Sequence, residues 1–197
     1  DANMLYLCDY QERGGRFVPV THEGNAVAMA DAWSRMTGRM GVASVTHGPA
    51  ATNTLTALVE AVRSRSRLLL ISGDTPLEPT HMQRLDLAAL AATAGAGYDK
   101  VYRPASVVRD LNRAMQRVVA ENRPVLFDLP IGMLRRDAGE QAPVVHAVAP
   151  APPTPDSDRL NDALGLIASA KRPVILAGRG AVAAGARDEL IALSERL

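Results

Sequence analysis

The stretch VTHEGNAVAMADAWSRMTGRMGVASVTHGPAATN, residues 20–53, decides the fold. RFVPV (16–20) reads as a short strand that ends at Glu23. From Gly24 to Thr37, Ala26, Val27, Ala30 and Trp33 recur at helical spacing, and Gly38 stops the helix. MGVASVT (40–46) is a near-continuous apolar run, the pattern of a strand covered on both faces. HGPAATN (47–53) is a turn.

The same alternation continues outward. A helix is expected over 54–62, with Leu55, Leu58, Val59 and Val62 on one stripe. RLLLIS (67–72) is a buried strand closed by GDTP (73–76), and a Leu/Ala-rich helix runs over 85–94. KVYR (100–103) reads as a short strand. Ser106 is placed to cap a helix whose Val108, Leu111, Met115 and Val118 face inward, and RPVLFDLP (123–130) is the next strand. Strands alternating with helices predict an α/β fold, a parallel sheet with right-handed crossovers and helices on both faces.

Residues 138–157 change character: Pro and Ala dominate and periodicity disappears, as in an extended linker. The expected organisation is therefore a first domain over 1–137, a Pro-rich linker over 138–157, and an incomplete Rossmann-like α/β unit over 158–197. In that last unit Asp158 is placed to cap a helix, and KRPVILAGRGA reads as a strand and Gly-rich turn. The likeness of RPVLFDLP and RPVILAG reads as two similar helix-to-strand entries rather than a repeat.

Composition bounds the function. Of 197 residues, 47% are hydrophobic and 22% charged, ordinary for a globular chain with a real core. A formal charge of +1 gives no basic surface for nucleic acid or anionic membrane. The single Cys8 excludes an internal disulfide and a cysteine metal site, which fits a reducing cytoplasm. No apolar run reaches the roughly 18 residues of a membrane span, and no signal peptide is read. Asp1 at the start and a helix at the very end suggest a piece of a longer polypeptide.

Few residues carry chemistry. Glu23 at a strand end lies where open α/β sheets place their ligands, and at a helix N-terminus that favours its anion. Desolvation there would raise its pKa, so that it holds or donates a proton near neutral pH. A plain first-turn Glu satisfying orphan N–H groups explains the spacing equally well. Gly48 and Pro49 make a tight turn that lets backbone approach a ligand, with Asn53 just beyond. An ordinary strand-to-helix turn is the blander reading. His47 is either a proton shuttle or a solvated turn residue. SGDTP (72–76) is a third turn on the same sheet edge. GRGAVAAG (178–185) departs from G-x-G-x-x-G because position 183 is Ala, and reads as a turn needing positive φ. His22, His47, His81 and His146 are scattered, with no metal-ligand cluster.

Four ordered blocks, HEGNAVAMADAWSRMTGRMGV, THGPAATNTLTALVEAVRSRSRLLLISGD, MQRLD and RPVLFDLP, resemble the N-terminal pyrimidine-binding domain of thiamine-diphosphate enzymes. The likeness is to the group holding acetolactate synthase, benzoylformate and pyruvate decarboxylases, benzaldehyde lyase and glyoxylate carboligase. Residues 158–197 resemble the start of that family's middle domain. The resemblance implies that Glu23 hydrogen-bonds the cofactor's aminopyrimidine nitrogen and favours the imino tautomer, which deprotonates the thiazolium carbon for attack on a 2-keto acid. Glu23 is then expected to be poorly solvated. Gly48, Pro49 and Asn53 fall in the family's Gly-Pro-Gly turn lining the pyrimidine pocket, with Ala50 in place of the last Gly and less backbone freedom. Gln83 matches the Gln of a Phe-Gln-Glu stretch near the substrate, but Met82 and Arg84 replace its neighbours. His47 stands where relatives carry a small residue, and the resemblance implies a substrate-pocket or proton-transfer role.

The family's Mg²⁺ and diphosphate motif belongs to a C-terminal domain, and its opening strand precedes the position of Asp1; this piece alone is expected to be inactive. FAD use is left open. The implied partners are a small 2-keto acid and a homodimer or homotetramer, without nucleic acid or membrane. Two other readings stand beside the decarboxylase or carboligase: a non-catalytic assembly module that keeps the fold, and a nucleotide-binding domain using GRGAVAAG.

Overall fold

The computed structural model describes residues 3–75 and 81–197. The chain divides into two units, Asp1–Pro150 and Ala151–Leu197. In the first, helix α1 (Met4–Glu12) is followed by α2 (Glu23–Thr37), β1 (Gly41–Val45), α3 (Pro49–Thr52), α4 (Leu55–Arg63) and β2 (Leu68–Asp74). Then come α5 (Leu87–Ala94), β3 (Gly97–Lys100), a 3₁₀ turn (Pro104–Ser106), α6 (Val107–Glu121) and β4 (Val125–Pro130). The four strands form one all-parallel sheet in the order β1-β2-β4-β3.

Both faces of the central strands are covered, which is why β2 and β4 read as unbroken apolar runs. Leu68, Leu70 and Leu126 point to a core shared with Val27 and Ala30 of α2, Leu58 and Ala61 of α4, and Leu87, Leu90 and Ala91 of α5. Leu69, Val125 and Phe127 point the other way, to Ala114 and Val118 of α6, with Tyr6 of α1 against them. The Tyr6 hydroxyl lies 2.6 Å from Ser44 Oγ, and burial pushes its pKa up to about 12. The edge strand β1 was expected to be covered on both faces; Val42 is instead exposed, and α1 reaches that face only at Ser44 among the described contacts.

α2 is delimited at both ends. His22 occupies its N-cap and its Nδ1 accepts from Gly24 N–H at 3.1 Å; Gly38 closes it at φ 70°. α2 then lies so close to β1 that a Cβ on Gly41 would stand 2.1 Å from the Ala30 carbonyl oxygen. Buried Asp31 accepts the Ser66 hydroxyl, and Ser34 Oγ accepts Arg67 N–H, tying the helix to the start of β2.

Several sequence expectations shift. RFVPV is not a strand: residues 16–20 pair with none of the four strands, Val18 is exposed, and Pro19 has no N–H to donate. The third strand is Gly97–Lys100 rather than 100–103, because its register is set by Gly97↔Val125 against β4. β2 runs on to Asp74, so Ser72–Asp74 lie inside the strand; Pro76 lies outside the described residues. Ser106 sits at the N-cap of α6 but caps nothing: its hydroxyl donates to Asp110 Oδ2 at 2.7 Å and to the Arg103 carbonyl.

Residues 141–148 are held rather than loose. Asn112 Nδ2 donates to the Pro143 carbonyl and its Oδ1 accepts Val145 N–H, at 2.9 and 3.1 Å. One turn on, Gln116 does the same with the carbonyl and N–H of Val148, at 2.8 and 3.1 Å. Two amide side chains of α6 thus act as a stand-in for a neighbouring strand.

The second unit holds α7 (Ser157–Ser169), α8 (Arg179–Ala183) and α9 (Arg187–Ser194). Asp156, not Asp158, caps α7, its Oδ1 accepting from Asp158 and Arg159 N–H. KRPVILAGRGA forms no strand; Val174 and Leu176 are exposed, and no strand of the described residues offers a ladder. In GRGAVAAG, Gly178 caps α8 with extended backbone, and Gly185 takes the positive φ of 66°. Among the described residues no helix is long and apolar enough to cross a membrane.

Candidate active site at the carboxyl edge of the sheet

A parallel sheet puts the ends of its strands on one edge, where loops and helix N-termini converge. β1 leaves that edge through Thr46, His47 and Gly48 into the single-turn helix α3. Gly48 has φ 64° and ψ −126°, and a Cβ there would stand 2.9 Å from both Cβ and the carbonyl oxygen of Gln83. The turn therefore requires glycine at 48. At position 50 it does not: Ala50 lies inside α3 with its side chain buried, so the departure from Gly-Pro-Gly imposes no backbone strain.

α3 carries Asn53 to its C-cap, and Asn53 Nδ2 donates to Glu23 Oε2 at 3.0 Å. Glu23 opens α2 rather than closing a strand, and is half-buried rather than sealed from solvent. The Asn53 bond, its own backbone N–H and nearby His22 hold its carboxyl below the usual range, outweighing desolvation. Glu23 is thus a committed carboxylate. The lowered pKa favours the ionised form, rather than a carboxyl that holds a proton near neutral pH as the sequence suggested.

At the other end of α3, buried His47 places Nε2 2.8 Å from Gln83 Oε1. An oxygen acceptor there puts the His47 proton on Nε2. Its Nδ1 faces Thr46 Oγ1 at 3.5 Å. His81 packs its ring edge-on to His47, centroids 5.8 Å apart, and its Nδ1 accepts Gln83 N–H. The sequence-selected residues Glu23, His47, Gly48, Pro49, Asn53 and Gln83 therefore form one chain of contacts around α3. Pro49 is its first residue. His22 and His81, unassigned by sequence reasoning, orient their neighbours.

A second polar cluster was not anticipated. Lys100 Nζ lies 2.6 Å from Asp74 Oδ2 and 2.9 Å from Asp128 Oδ2, and Tyr98 donates its hydroxyl to the same Asp128 oxygen at 2.5 Å. Burial raises the Asp128 pKa against the pull of Tyr98 and Lys100. Burial works to lower that of Lys100, but its two carboxylate partners raise it overall. The four residues span 54 positions of sequence, Asp74 to Asp128, and meet because Lys100 pairs with Asp128, and β2 with β4. The one signal was Asp128 itself, a carboxylate inside the apolar run VLFDLP. Among the described residues no group of three His, Cys, Asp or Glu is placed to hold a metal ion.

Comparison with known proteins identifies the family. Residues 1–94 match the N-terminal TPP binding domain of thiamine pyrophosphate enzymes, and residues 160–197 match their central domain. The chain is 29% identical to a sulfoacetaldehyde acetyltransferase of Rhodobacter capsulatus over 98% of its length and 33% of the relative's. It is 33% identical to an acetolactate synthase large subunit of Mycobacterium tuberculosis, over 85% of the chain and 32% of the relative. It is also 33% identical to a probable 2-ketoarginine decarboxylase of Pseudomonas aeruginosa, over 93% of the chain and 34% of the relative. The chain thus spans about a third of the length of these relatives. Two domain models in family order, with an all-parallel sheet under the first, place the chain in the thiamine pyrophosphate enzyme family.

Proposed function

We propose that this chain forms the pyrimidine-side half of a thiamine-diphosphate site in an enzyme that decarboxylates or ligates 2-keto acids. The observation that carries it is the Glu23–Asn53 pair at the start of α2. The donor set fits the cofactor's ring: an ionised carboxylate beside a turn that admits only glycine at 48. Bound thiamine diphosphate supplies the nucleophilic carbon and the electron sink that a 2-keto acid needs to lose carbon dioxide.

The protein's part is positional and protonic. Asn53 fixes one oxygen of Glu23, so that the carboxylate is aimed before a ligand arrives. Being ionised, Glu23 would accept a hydrogen bond from a protonated ring nitrogen and so favour the form of the ring that carries that proton. Gly48 lets the turn pack against Gln83, and Pro49 opens α3 beside it. Gln83 occupies His47 Nε2, so His47 transfers a proton from that atom only once Gln83 gives way to a substrate. The names of two relatives, an acetolactate synthase and a 2-ketoarginine decarboxylase, fit the 2-keto acid class. The Mg²⁺ and diphosphate contacts, and the second copy completing the site, are assigned to parts of the enzyme beyond this chain.

The test is Glu23→Gln in the whole protein, assayed with thiamine diphosphate, Mg²⁺ and a panel of 2-keto acids. Loss of an essential acid–base group costs about 10²- to 10⁴-fold in rate. Parent-like rates in the variant would remove Glu23 from the mechanism.

A further inference from the structure

Gln83 is held from three sides. Its side-chain Oε1 lies 2.8 Å from His47 Nε2. Its backbone N–H donates to His81 Nδ1 at 3.2 Å, and Arg84 N–H donates to the His81 carbonyl at 2.9 Å, closing a turn over 81–84. Its Cβ and carbonyl oxygen pack on the turn at Gly48, where a methyl would stand 2.9 Å from each. The two imidazoles that grip Gln83 also meet each other, with ring planes 77° apart.

These contacts leave one part of Gln83 free to move. The backbone is tied and Cβ is packed, but the bonds beyond Cβ rotate, and the residue is only half-buried. The amide can leave His47 without the loop opening. It then leaves a prepared donor behind. An oxygen acceptor at Nε2 selects the tautomer of His47 that carries its proton there. Thr46 Oγ1 faces Nδ1 at 3.5 Å, too far to select the other tautomer. His81 is constrained in the same way: accepting at Nδ1, it carries its own proton on Nε2. A ligand oxygen that takes the place of Gln83 Oε1 meets a proton already on the right atom of His47. A 2-keto acid offers such oxygens in its carboxylate and its carbonyl.

We propose that His81 is a positioning residue. Through the Gln83 N–H it aims the Gln83 amide at His47 Nε2, and so sets which ring nitrogen of His47 presents a proton to the substrate. The catalytic consequence rests on the reaction proposed above; the hold on His47 does not.

Nitrogen-15 spectra of the histidine-labelled whole protein, without substrate, read the hold directly. In the parent, neutral His47 should show a protonated Nε2 and a bare Nδ1. His81→Phe keeps an aromatic ring against His47 but loses the acceptor, and should give a mixture of the two tautomers. His81→Asn loses the ring but keeps an oxygen in reach of the N–H two residues on, and should restore the parent pattern. His81→Ala replaces the Phe variant where that one does not fold. In a Gln83→Ala background none of these changes should move the His47 signal further, because the hold runs through the amide. Steady-state kinetics on a 2-keto acid should follow the spectra. In His81→Phe, kcat falls roughly two- to tenfold, the worth of one neutral hydrogen bond, with KM little changed; His81→Asn recovers kcat. A parent His47 protonated on Nδ1 overturns the proposal. So does a pattern that His81→Phe keeps and His81→Asn loses, which makes His81 a packing residue. A shifted tautomer with unchanged kcat overturns the catalytic consequence and keeps the hold. No turnover of any keto acid by the parent, with the tautomers as expected, sinks the proposed reaction and leaves the hold standing.

Discussion

Gly48→Ala isolates what the turn after β1 requires. With φ 64° and ψ −126°, residue 48 occupies backbone space that an L side chain enters at a cost of about 1–3 kcal/mol. The added methyl would also stand 2.9 Å from Gln83 Cβ and 2.9 Å from the Gln83 carbonyl oxygen. The carbonyl is backbone and cannot rotate away, so overpacking adds about 1–3 kcal/mol more. The combined loss is about 2–6 kcal/mol. At about 2–4 °C per kcal/mol for a unit of this size, the melting temperature should fall by roughly 4–24 °C. Gly139→Ala is the control: φ is 61° there but nothing lies within 4 Å, so only the conformational part is felt. Circular dichroism melts compare the two. Because the methyl displaces Gln83, the His47 Nε2 resonance should shift in Gly48→Ala and not in Gly139→Ala. Equal melting of the two variants, with an unmoved His47 signal, would refute the steric argument and with it the close packing of Gln83 on the turn.

Carbon-detected titration should place the Glu23 midpoint below an ordinary glutamate, and Asn53→Ala should raise it. Because the folded pKa is depressed, the stability Glu23 contributes is present above its unfolded pKa and is lost as pH falls through the folded value. A midpoint unchanged by Asn53→Ala would show that the hydrogen bond does not set it. Asn112→Ala with Gln116→Ala removes four hydrogen bonds to residues 143–148, about 1 kcal/mol each. Limited proteolysis should then cut within 141–150, where the parent is protected. Equal cleavage of parent and variant would mean the amide clamp does not hold the segment.

Much of this was legible in the sequence. α2, α4, α5, α6, β1, β2 and β4 follow from periodicity and from glycine or polar caps, because helix bonds and caps join residues within a turn of one another. The segments of the candidate site were legible too, since Glu23 and HGPAATN sit at element boundaries, and the ordered blocks named the family. α1 escaped notice, as its residues show little amphipathic contrast and only Tyr6 and Asn3 reach the sheet.

The tertiary structure decided the rest. RFVPV and KRPVILAGRGA have strand-like composition but no ladder, and a strand exists only with a partner to accept its N–H groups. The placement of β3 came from its register with β4, not from its own residues. The lowering of Glu23's pKa comes chiefly from Asn53, thirty residues away, which no local pattern reveals. Asp74, Tyr98, Lys100 and Asp128 become one cluster only when parallel pairing stacks three strand ends on one edge. Local geometry is written in neighbouring residues. Pairing, burial and the charge they trap depend on which distant segments the fold brings into contact.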